Sequence, residues 1–167
     1  MTQFLETEIP PEYYRVQKHP TEDLWIYNYS GSAQFDKKAF IDYPILKEYR
    51  GLVLDKDKNV IARSFPKFWN YEEYGENSIL GPLPPYNSFE ITDKLDGSLG
   101  IVFHYNGKMI VATRGSFDSE QAKWTEDYLR KNNPFFVRYI EEIYGQLGKS
   151  YGLSFLFEII YPENRVV

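Results

Sequence analysis

The sequence predicts an α+β fold in which helices flank a largely antiparallel sheet. Tyr and Phe are abundant, with 15 and 12 residues, and aromatic residues favour pleated, half-buried sheet surfaces over an all-helical bundle. Asn106-Gly107 separates two apolar segments and is the strongest short signal for a two-residue β-hairpin turn. Two late segments, 120–131 and 134–147, carry the apolar spacing and the capping residues that are typical of helices.

The first half of the chain is predicted to form strands separated by loops. A strand is expected at 24–29, because this segment is rich in aromatic and β-branched residues and ends at Ser30-Gly31-Ser32. Residues 35–47 are expected to be partly helical, with an interruption at Pro44. Residues 50–54 and 60–65 form the next predicted hairpin. The proline-rich stretch 81–85 then acts as a stiff connector.

The stretch 89–114 is predicted to fold as three strands joined by two turns. Apolar and polar residues alternate from 89 to 96, so Lys94 is expected on the polar face of a strand, pointing into a cleft. Asp96-Gly97-Ser98 forms the first turn and Asn106-Gly107 the second. The second turn predicts four cross-strand pairs: Tyr105 with Lys108, Phe103 with Ile110, Ile101 with Ala112, and Leu99 with Arg114. Lys94, Asp96 and Arg114 are therefore expected to converge.

The last third is predicted to contain two helices and a strand. The first helix, 120–131, has Ala122, Leu129 and the aromatic residues Trp124 and Tyr128 to bury. Asn133 is a favourable N-cap for the second helix, and Pro134 a favourable first residue. A strand is expected at 151–160.

Composition limits the class of protein. A chain of 167 residues is long enough for one domain that buries roughly 70% of its unfolded surface. Cysteine is absent, which excludes disulfides and thiolate metal sites and is consistent with a cytoplasmic location. The acidic N-terminus, broken by Pro10-Pro11, is unlike a secretory signal, and no apolar run approaches membrane-spanning length. A net charge of −5 argues against an extended basic surface for nucleic acid but permits a local basic cleft.

Several residues are candidates for chemistry, and each has a structural alternative. The Lys94-Leu95-Asp96-Gly97 match to Lys-x-Asp-Gly is weak alone, because it also fits a surface turn. Glu158 lies within the apolar Phe155–Ile160 segment, where a charge is costly unless it is met by a cation, a metal or several donors. The alternative is a glutamate on the solvated face of an edge strand.

The other candidates are two cations and two aromatic residues. Arg50 and Lys67 suit phosphate binding, but either one alone also fits a surface ion pair or a snorkelling side chain. Tyr27 and Trp69 could stack on a base, although single aromatic residues in strands are more often part of the core.

Together these positions resemble an ATP-dependent RNA ligase of the phage T4 tRNA-repair type, within the covalent nucleotidyltransferase superfamily of ligases and mRNA capping enzymes. The resemblance covers nearly the whole chain, and its segments occur in the order found in the family. They are Tyr27-Asn28-Tyr29, Glu48-Tyr49-Arg50-Gly51, Lys67-Phe68-Trp69-Asn70, Lys94-Leu95-Asp96-Gly97-Ser98-Leu99, Arg114-Gly115-Ser116 with Ser119-Glu120-Gln121-Ala122, and Phe157-Glu158 followed by Pro162-Glu163-Asn164-Arg165-Val166-Val167.

The resemblance implies the nucleotidyltransferase fold of these enzymes and a covalent mechanism. Lys94 would attack the α-phosphate of ATP, release pyrophosphate and hold AMP as a lysyl phosphoramidate. AMP would then pass to an RNA 5′-phosphate, and a 3′-hydroxyl would seal the nick. Lys94 must react as a neutral amine, so its pKa is expected to be lowered. Mg²⁺ is implied because the pyrophosphate leaving group needs its charge neutralised.

The resemblance also assigns roles to the other candidates. Arg50 and Lys67 would hold the triphosphate, and Arg114 together with Lys67 would supply a positive field and bind phosphates. Tyr27 and Trp69 would line the nucleotide pocket, and Glu158 would contact the ribose or the hydration shell of the metal. Asp96 and Gly97 belong to the site without an assigned role. RNA is the expected partner, with cleaved tRNA as one candidate.

The sequence departs from the family pattern in two places. Position 114 is Arg where Lys is expected, which keeps the charge but changes the donor geometry. The chain stops at Val167, before the later strands with two lysine-bearing motifs and before the C-terminal RNA-specificity domain. We therefore expect residues 1–167 to be the N-terminal portion of a single adenylyltransferase domain, inactive or weakly active until a downstream segment or a second polypeptide completes the site.

Two alternatives remain open at this point. One is a non-catalytic nucleotide- or RNA-binding remnant of the same fold. The other is a sister enzyme, a DNA ligase or a capping guanylyltransferase.

Overall fold

The computed structural model describes residues 9–83, 85, 90–147 and 153–162. The described strands form two antiparallel sheets, so the predicted α+β class is confirmed, with two sheets in place of one. The first sheet, in the order β1-β2-β3-β4, contains Tyr14–Lys18, Leu24–Tyr29, Arg50–Asp55 and Val60–Ala62. The second, in the order β6-β5-β7, contains β5 (Ser98–Tyr105), β6 (Lys108–Thr113) and β7 (Phe155–Ile159).

Helices cover the outer faces of both sheets. Two short helices, α1 (Gly31–Phe35) and α2 (Ala39–Asp42), contribute to the apolar cluster on the outside of the first sheet. Two longer helices, α3 (Glu120–Asn132) and α4 (Pro134–Leu147), cover the second sheet. Short 3₁₀ helices occupy Pro11–Tyr13, Pro44–Lys47 and Tyr71–Glu73.

The core between the sheets is built from alternate residues of the strands. Leu24, Ile26 and Val53 of the first sheet belong to one buried cluster with Ile101 and Ala112 of the second. The neighbouring positions face outward in the same strands because side chains alternate along a strand. Tyr27 and Leu52, for example, belong to the cluster beneath α1 and α2. The order of layers is therefore helix, sheet, sheet, helix.

The hairpin at Asn106-Gly107 is confirmed in position and register. Both residues have positive φ, 50° and 79°, as a type I′ turn requires. The observed pairs include Tyr105 with Lys108, Phe103 with Ile110 and Ile101 with Ala112. The ladder ends at the pair of Gly100 and Thr113, so the predicted pair of Leu99 and Arg114 is wrong. Leu99 is instead opposite Glu158 of β7.

The predicted strand at 89–96 is wrong for the residues that the structure describes. Residues 90–97 have no strand assignment, and Phe89 lies outside the described residues. The reason is that both edges of β5 are already paired, one with β6 and the other with β7. The alternating apolar residues Ile91 and Leu95 are consequently 78% and 59% exposed.

The other predicted elements are largely confirmed. Strand β2 matches the prediction, Pro44 starts a 3₁₀ helix within the partly helical 35–47 segment, and the second hairpin strand ends earlier than predicted, at Ala62. Helices α3 and α4 start at the predicted residues, and the hydroxyl of Ser119 caps α3 by accepting from the backbone N–H of Ala122. Strand β7 is shorter than predicted, and residues 151–152 lie outside the described part.

The expectation that two aromatic residues of α3 are buried is wrong. Trp124 and Tyr128 are 37% and 45% exposed. Trp124 stacks on Tyr128 and on Tyr161, with centroid distances of 5.0 and 4.4 Å, so the rings cover one another at the surface. Separately, in the part of the chain that the structure describes, no helix combines the length and the apolar character needed to cross a membrane.

Candidate functional site

Each of the three predicted phosphate-binding cations lies against an aromatic ring, and two of them share one ring. Arg50 Cζ is 4.9 Å from the centroid of Phe68, and Arg114 Cζ is 5.6 Å from that of Tyr29. Lys67 Nζ is 5.9 Å from the centroid of the same Tyr29 ring. We call Arg50, Lys67 and Arg114 the cation cluster.

The close approach of the two sheets positions this cluster. Arg50 opens β3, and Arg114 directly follows β6. Between Tyr27 and Asn28 the register of β2 against β3 shifts, which leaves Gly51 as a bulge residue with φ of 83°. A Cβ atom at Gly51 would be 3.4 Å from the carbonyl oxygen of Arg114. Glycine therefore provides both the left-handed conformation and the room for the two strand ends to meet.

Burial and neighbouring charges lower the pKa of Lys67, one member of the cluster. Burial of the amine is the main cause that lowers the pKa of Lys67, and the carboxylate of Glu73 opposes it. The positive charges of Arg50, Lys37 and Arg114 lower this pKa further. Glu73 is itself engaged by Lys37, with 2.8 Å between the charged atoms. The cluster thus has a surplus of positive charge, and an anion bound among these residues would be stabilised.

The structure places the two predicted pocket aromatics differently. Trp69 is half-buried within the cluster, with its centroid 5.0 Å from Lys67 Nζ and 5.6 Å from Lys47 Nζ. Tyr27 is 1% exposed in the core, packed 5.2 Å from the ring of Tyr49, and its hydroxyl accepts from Lys58. This placement corrects the expectation that Tyr27 lines an open pocket.

Tyr29 and Lys47 are the residues of this site that the sequence analysis missed. Tyr29 lies in the quoted Tyr27-Asn28-Tyr29 segment, and the strand period of two places it on the same face as Tyr27. That period was a usable signal for Tyr29. Lys47 contacts the ring of Trp69, a residue distant in sequence. Nothing in the local sequence pattern indicates this contact.

Lys94 and Asp96 form a second group. The side chain of Lys94 is 84% exposed, and its Nζ lies 2.6 Å from Asp96 Oδ1. The hydrogen bond and the charge of Asp96 raise the pKa of Lys94, and the charge of Glu158 adds to this effect. The expected lowering of this pKa is therefore wrong for the protein without ligand, because Lys94 stands in solvent and the charges acting on it are carboxylates.

Glu158 lies beside this second group and not in the core. It is exposed on β7, which forms the edge of the second sheet in the described residues. The expectation of a buried carboxylate is wrong, and the alternative of an edge-strand position is confirmed. A Cβ atom at Gly97 would be 3.2 Å from Cγ of Glu158, so Glu158 flanks the Lys94–Gly97 turn. Residues 163–167, which complete the quoted final segment, lie outside the described part.

Of the three residues predicted to converge, only two are shown to meet. Lys94 and Asp96 meet, whereas Arg114 lies against Tyr29 and acts electrostatically on Lys67. Among the described residues, no group of three His, Asp or Glu side chains is arranged to hold a metal ion. The site therefore consists of the cation cluster and a separate Lys94–Asp96 ion pair flanked by Glu158.

Sequence comparisons match this chain to known proteins. The RNA ligase family of the T4 type matches residues 48–167, a range that contains the cation cluster, Lys94 and Glu158. A protein of Autographa californica nuclear polyhedrosis virus, provisionally named a bifunctional polynucleotide kinase/RNA ligase, is 28% identical over 92% of this chain and 23% of its own length. A protein of Thermovibrio ammonificans, provisionally named an RNA ligase, is 29% identical over 81% of this chain and 34% of its own length.

These two relatives are much longer than the matched region. The chain spans about a quarter to a third of their lengths. The family match itself covers well over half of the 167 residues. The chain belongs to the T4-type RNA ligase family.

Proposed function

We propose that this chain is part of an ATP-dependent RNA ligase that forms lysyl-AMP on Lys94. In this proposal AMP then moves to an RNA 5′-phosphate, and a 3′-hydroxyl displaces it to seal the strand. The observation that carries the proposal is the cation cluster, because its three members come from separate segments of the chain. Lys67 and Arg114 share the ring of Tyr29, and the charge of Arg50, which lies over Phe68, acts on Lys67. The family membership supports RNA over DNA as the nucleic acid.

The cation cluster fits the triphosphate of ATP. Phosphate oxygens accept hydrogen bonds and carry negative charge, and guanidinium groups bind them bidentately. A bound polyphosphate would also offset the positive charges that add to the effect of burial in lowering the pKa of Lys67. The rings of Trp69 and Tyr29 flank the same amine. Trp69 is half-buried and is suited to pack beside the nucleotide, whereas Tyr29 is 6% exposed and contacts the cations from the core.

Lys94 supplies the nucleophile in this proposal. Its Nζ must lose a proton, form a bond to the α-phosphorus and displace pyrophosphate through cleavage of the P–O bond. Asp96 opposes the first step because it stabilises the ammonium form. When bound, Mg²⁺ would supply positive charge to the phosphates. The exposed carboxylates of Asp96 and Glu158 would suit this ion, because Mg²⁺ needs only one or two protein carboxylates. Glu158 could alternatively accept from a ribose hydroxyl, and Gly97 gives Glu158 the room to approach Lys94.

A non-catalytic nucleotide- or RNA-binding module is the second candidate. The observation that favours it is the exposure of Lys94 together with its raised pKa, since a protonated amine is not a nucleophile. Such a module would still use the cation cluster to bind phosphates. It would bind ATP and never become covalently labelled.

The remaining parts of the proposal rest on the family. We extend it to a cytoplasmic enzyme that acts on RNA, with cleaved tRNA as one candidate substrate. Residues 1–167 would form the N-terminal portion of one adenylyltransferase domain with the nucleotidyltransferase fold, completed by a downstream segment or a second polypeptide. By the family resemblance, the two lysine-bearing motifs lie in the part that completes the domain. This chain alone is then expected to label weakly, because loss of one such preorganised charge from a transition state typically costs about 10²–10³ in rate.

The experiment is covalent labelling with [α-³²P]ATP and Mg²⁺, performed on the full gene product and on this chain alone. We expect the full product to form an acid-labile, alkali-stable adenylate that is lost in Lys94→Ala. Lys123→Ala, which removes another exposed lysine, is the control and should label normally. If the full product binds ATP but is never labelled, and Lys94→Ala binds equally well, the non-catalytic module is correct.

A further inference from the structure

Asn28 is the polar end of an otherwise apolar row on β2. Leu24 and Ile26 are 0% and 1% exposed and belong to the core between the sheets. Asn28 follows with the strand period of two, so its amide faces the second sheet as well. The packing agrees, because Nδ2 of Asn28 lies 3.6 Å from the position that a Cβ at Gly115 would take. An amide thus occupies a place where an apolar residue would continue the core.

The carbonyl oxygen of this amide has no hydrogen-bond donor among the described residues. Oδ1 of Asn28 is buried from solvent and has no hydrogen-bond partner in the described part of the chain. Native structures satisfy most buried polar atoms, because an unpaired one has lost its hydration without compensation. An apolar side chain of similar shape would avoid this penalty. The amide is therefore better explained by a partner that the described residues do not provide.

The surroundings of Asn28 indicate what that partner is. Its cross-strand neighbour on β3 is Arg50. Gly115, whose Cβ position lies beside the Asn28 amide, directly follows Arg114. Asn28 thus lies between two members of the cation cluster. Phosphate oxygens of a bound polyphosphate are acceptors at neutral pH and cannot donate to Oδ1. An N–H or O–H group in another part of the same ligand can supply this donor.

We propose that Oδ1 of Asn28 accepts a hydrogen bond from the nucleoside part of the bound nucleotide, either a ribose hydroxyl or the amino group of the base. This inference rests on the proposed function, in which the cation cluster holds the phosphates. Asn28 is then a specificity-determining residue. The cations attract any polyphosphate, and the amide favours one that carries a nucleoside.

The test compares Asn28→Leu with the unchanged protein in three measurements: the affinity for ATP, the affinity for inorganic tripolyphosphate, and the melting temperature without ligand. We expect ATP to bind about tenfold more weakly, tripolyphosphate to bind equally, and the melting temperature to stay constant or rise. A structural role for Asn28 would instead lower the melting temperature and weaken both ligands together. Asn77→Leu, at an exposed asparagine, is the matched control and should change neither affinity.

Nucleotide analogues identify the donor and keep the test decisive if the leucine variant does not fold. The analogues are 2′-deoxy-ATP, 3′-deoxy-ATP and purine riboside triphosphate, each of which lacks one donor. One of them should bind the unchanged protein about tenfold more weakly than ATP, while Asn28→Ala should bind it and ATP equally. Equal ATP affinity in the unchanged protein and the variants overturns this inference alone. Failure of the unchanged protein to bind ATP or tripolyphosphate overturns the proposed function as well.

Discussion

Gly97→Ala tests how tightly the Lys94–Gly97 turn packs against β7. A Cβ atom at Gly97 would stand 2.5 Å from the carbonyl oxygen of Ile159 and 3.0 Å from Cγ1 of Ile160. The first of these atoms belongs to the backbone of β7, which pairs with β5 at Ser98 and Ile159. The strand must therefore move before alanine fits, and a flexible side chain cannot absorb the contact.

Overpacking of this kind typically costs about 1–3 kcal/mol. For a domain of this size, a loss of about 2 kcal/mol lowers the melting temperature by about 4–8 °C. Circular dichroism without nucleotide measures the packing effect alone. Gly31→Ala is the control, because no atom lies within 4 Å of its Cβ position and alanine is favourable in a helix. If Gly97→Ala melts at the same temperature as Gly31→Ala, the turn is not packed against β7 as described.

Two further predictions concern the charged groups. Lys67→Met should raise the melting temperature at neutral pH, because the protonated form of a lysine with a lowered pKa destabilises the fold. This gain in melting temperature should shrink as the pH rises through the folded-state pKa of Lys67, and a lower melting temperature at neutral pH would contradict the prediction. In the same variant, tripolyphosphate should bind about 10–100-fold more weakly. Asp96→Asn should lower the pKa of Lys94, so acetylation of Lys94 followed by mass spectrometry should begin at lower pH. Asp93→Asn is the control for this variant. If both variants shift the pH at which acetylation of Lys94 begins by the same amount, Asp96 is not the residue that raises the pKa of Lys94.

The hairpin at Asn106-Gly107 could be predicted because its determinants are local. The turn requires positive φ at two residues, Asn-Gly provides this at low cost, and the register then follows from the turn. The starts of α3 and α4 are local in the same sense, because Ser119 and Pro134 set them. The three members of the cation cluster were assigned from the family resemblance and not from a local signal, and their role in binding phosphate stays a prediction.

The errors concern strand pairing, which is not local. The alternation at 89–96 satisfies a strand, yet β5 has only two edges and both are taken by β6 and β7. Glu158 was misplaced for a related reason. Its apolar neighbours suggested burial on both faces, but Phe157 is 37% exposed on a strand that is paired along one edge in the described residues. Position within a sheet decided both outcomes, and the sequence pattern carries no information on it.

The opposite pKa shifts of Lys67 and Lys94 raise the question of which lysine is the nucleophile. A lowered pKa alone favours Lys67, because more of its amine is neutral at a given pH. The contacts of Lys67 indicate a binding role instead. Its Nζ donates to the carbonyl of Phe68 at 2.6 Å and lies against the rings of Tyr29 and Trp69, so the amine is not free to attack a phosphate. Lys94 is open to an incoming phosphate and is restrained by a single exposed carboxylate. An exposed ion pair contributes little free energy, so bound cationic charge can offset it. The AMP found in the labelling experiment should therefore be attached to the peptide that contains Lys94, and AMP on Lys67 would reverse the two roles.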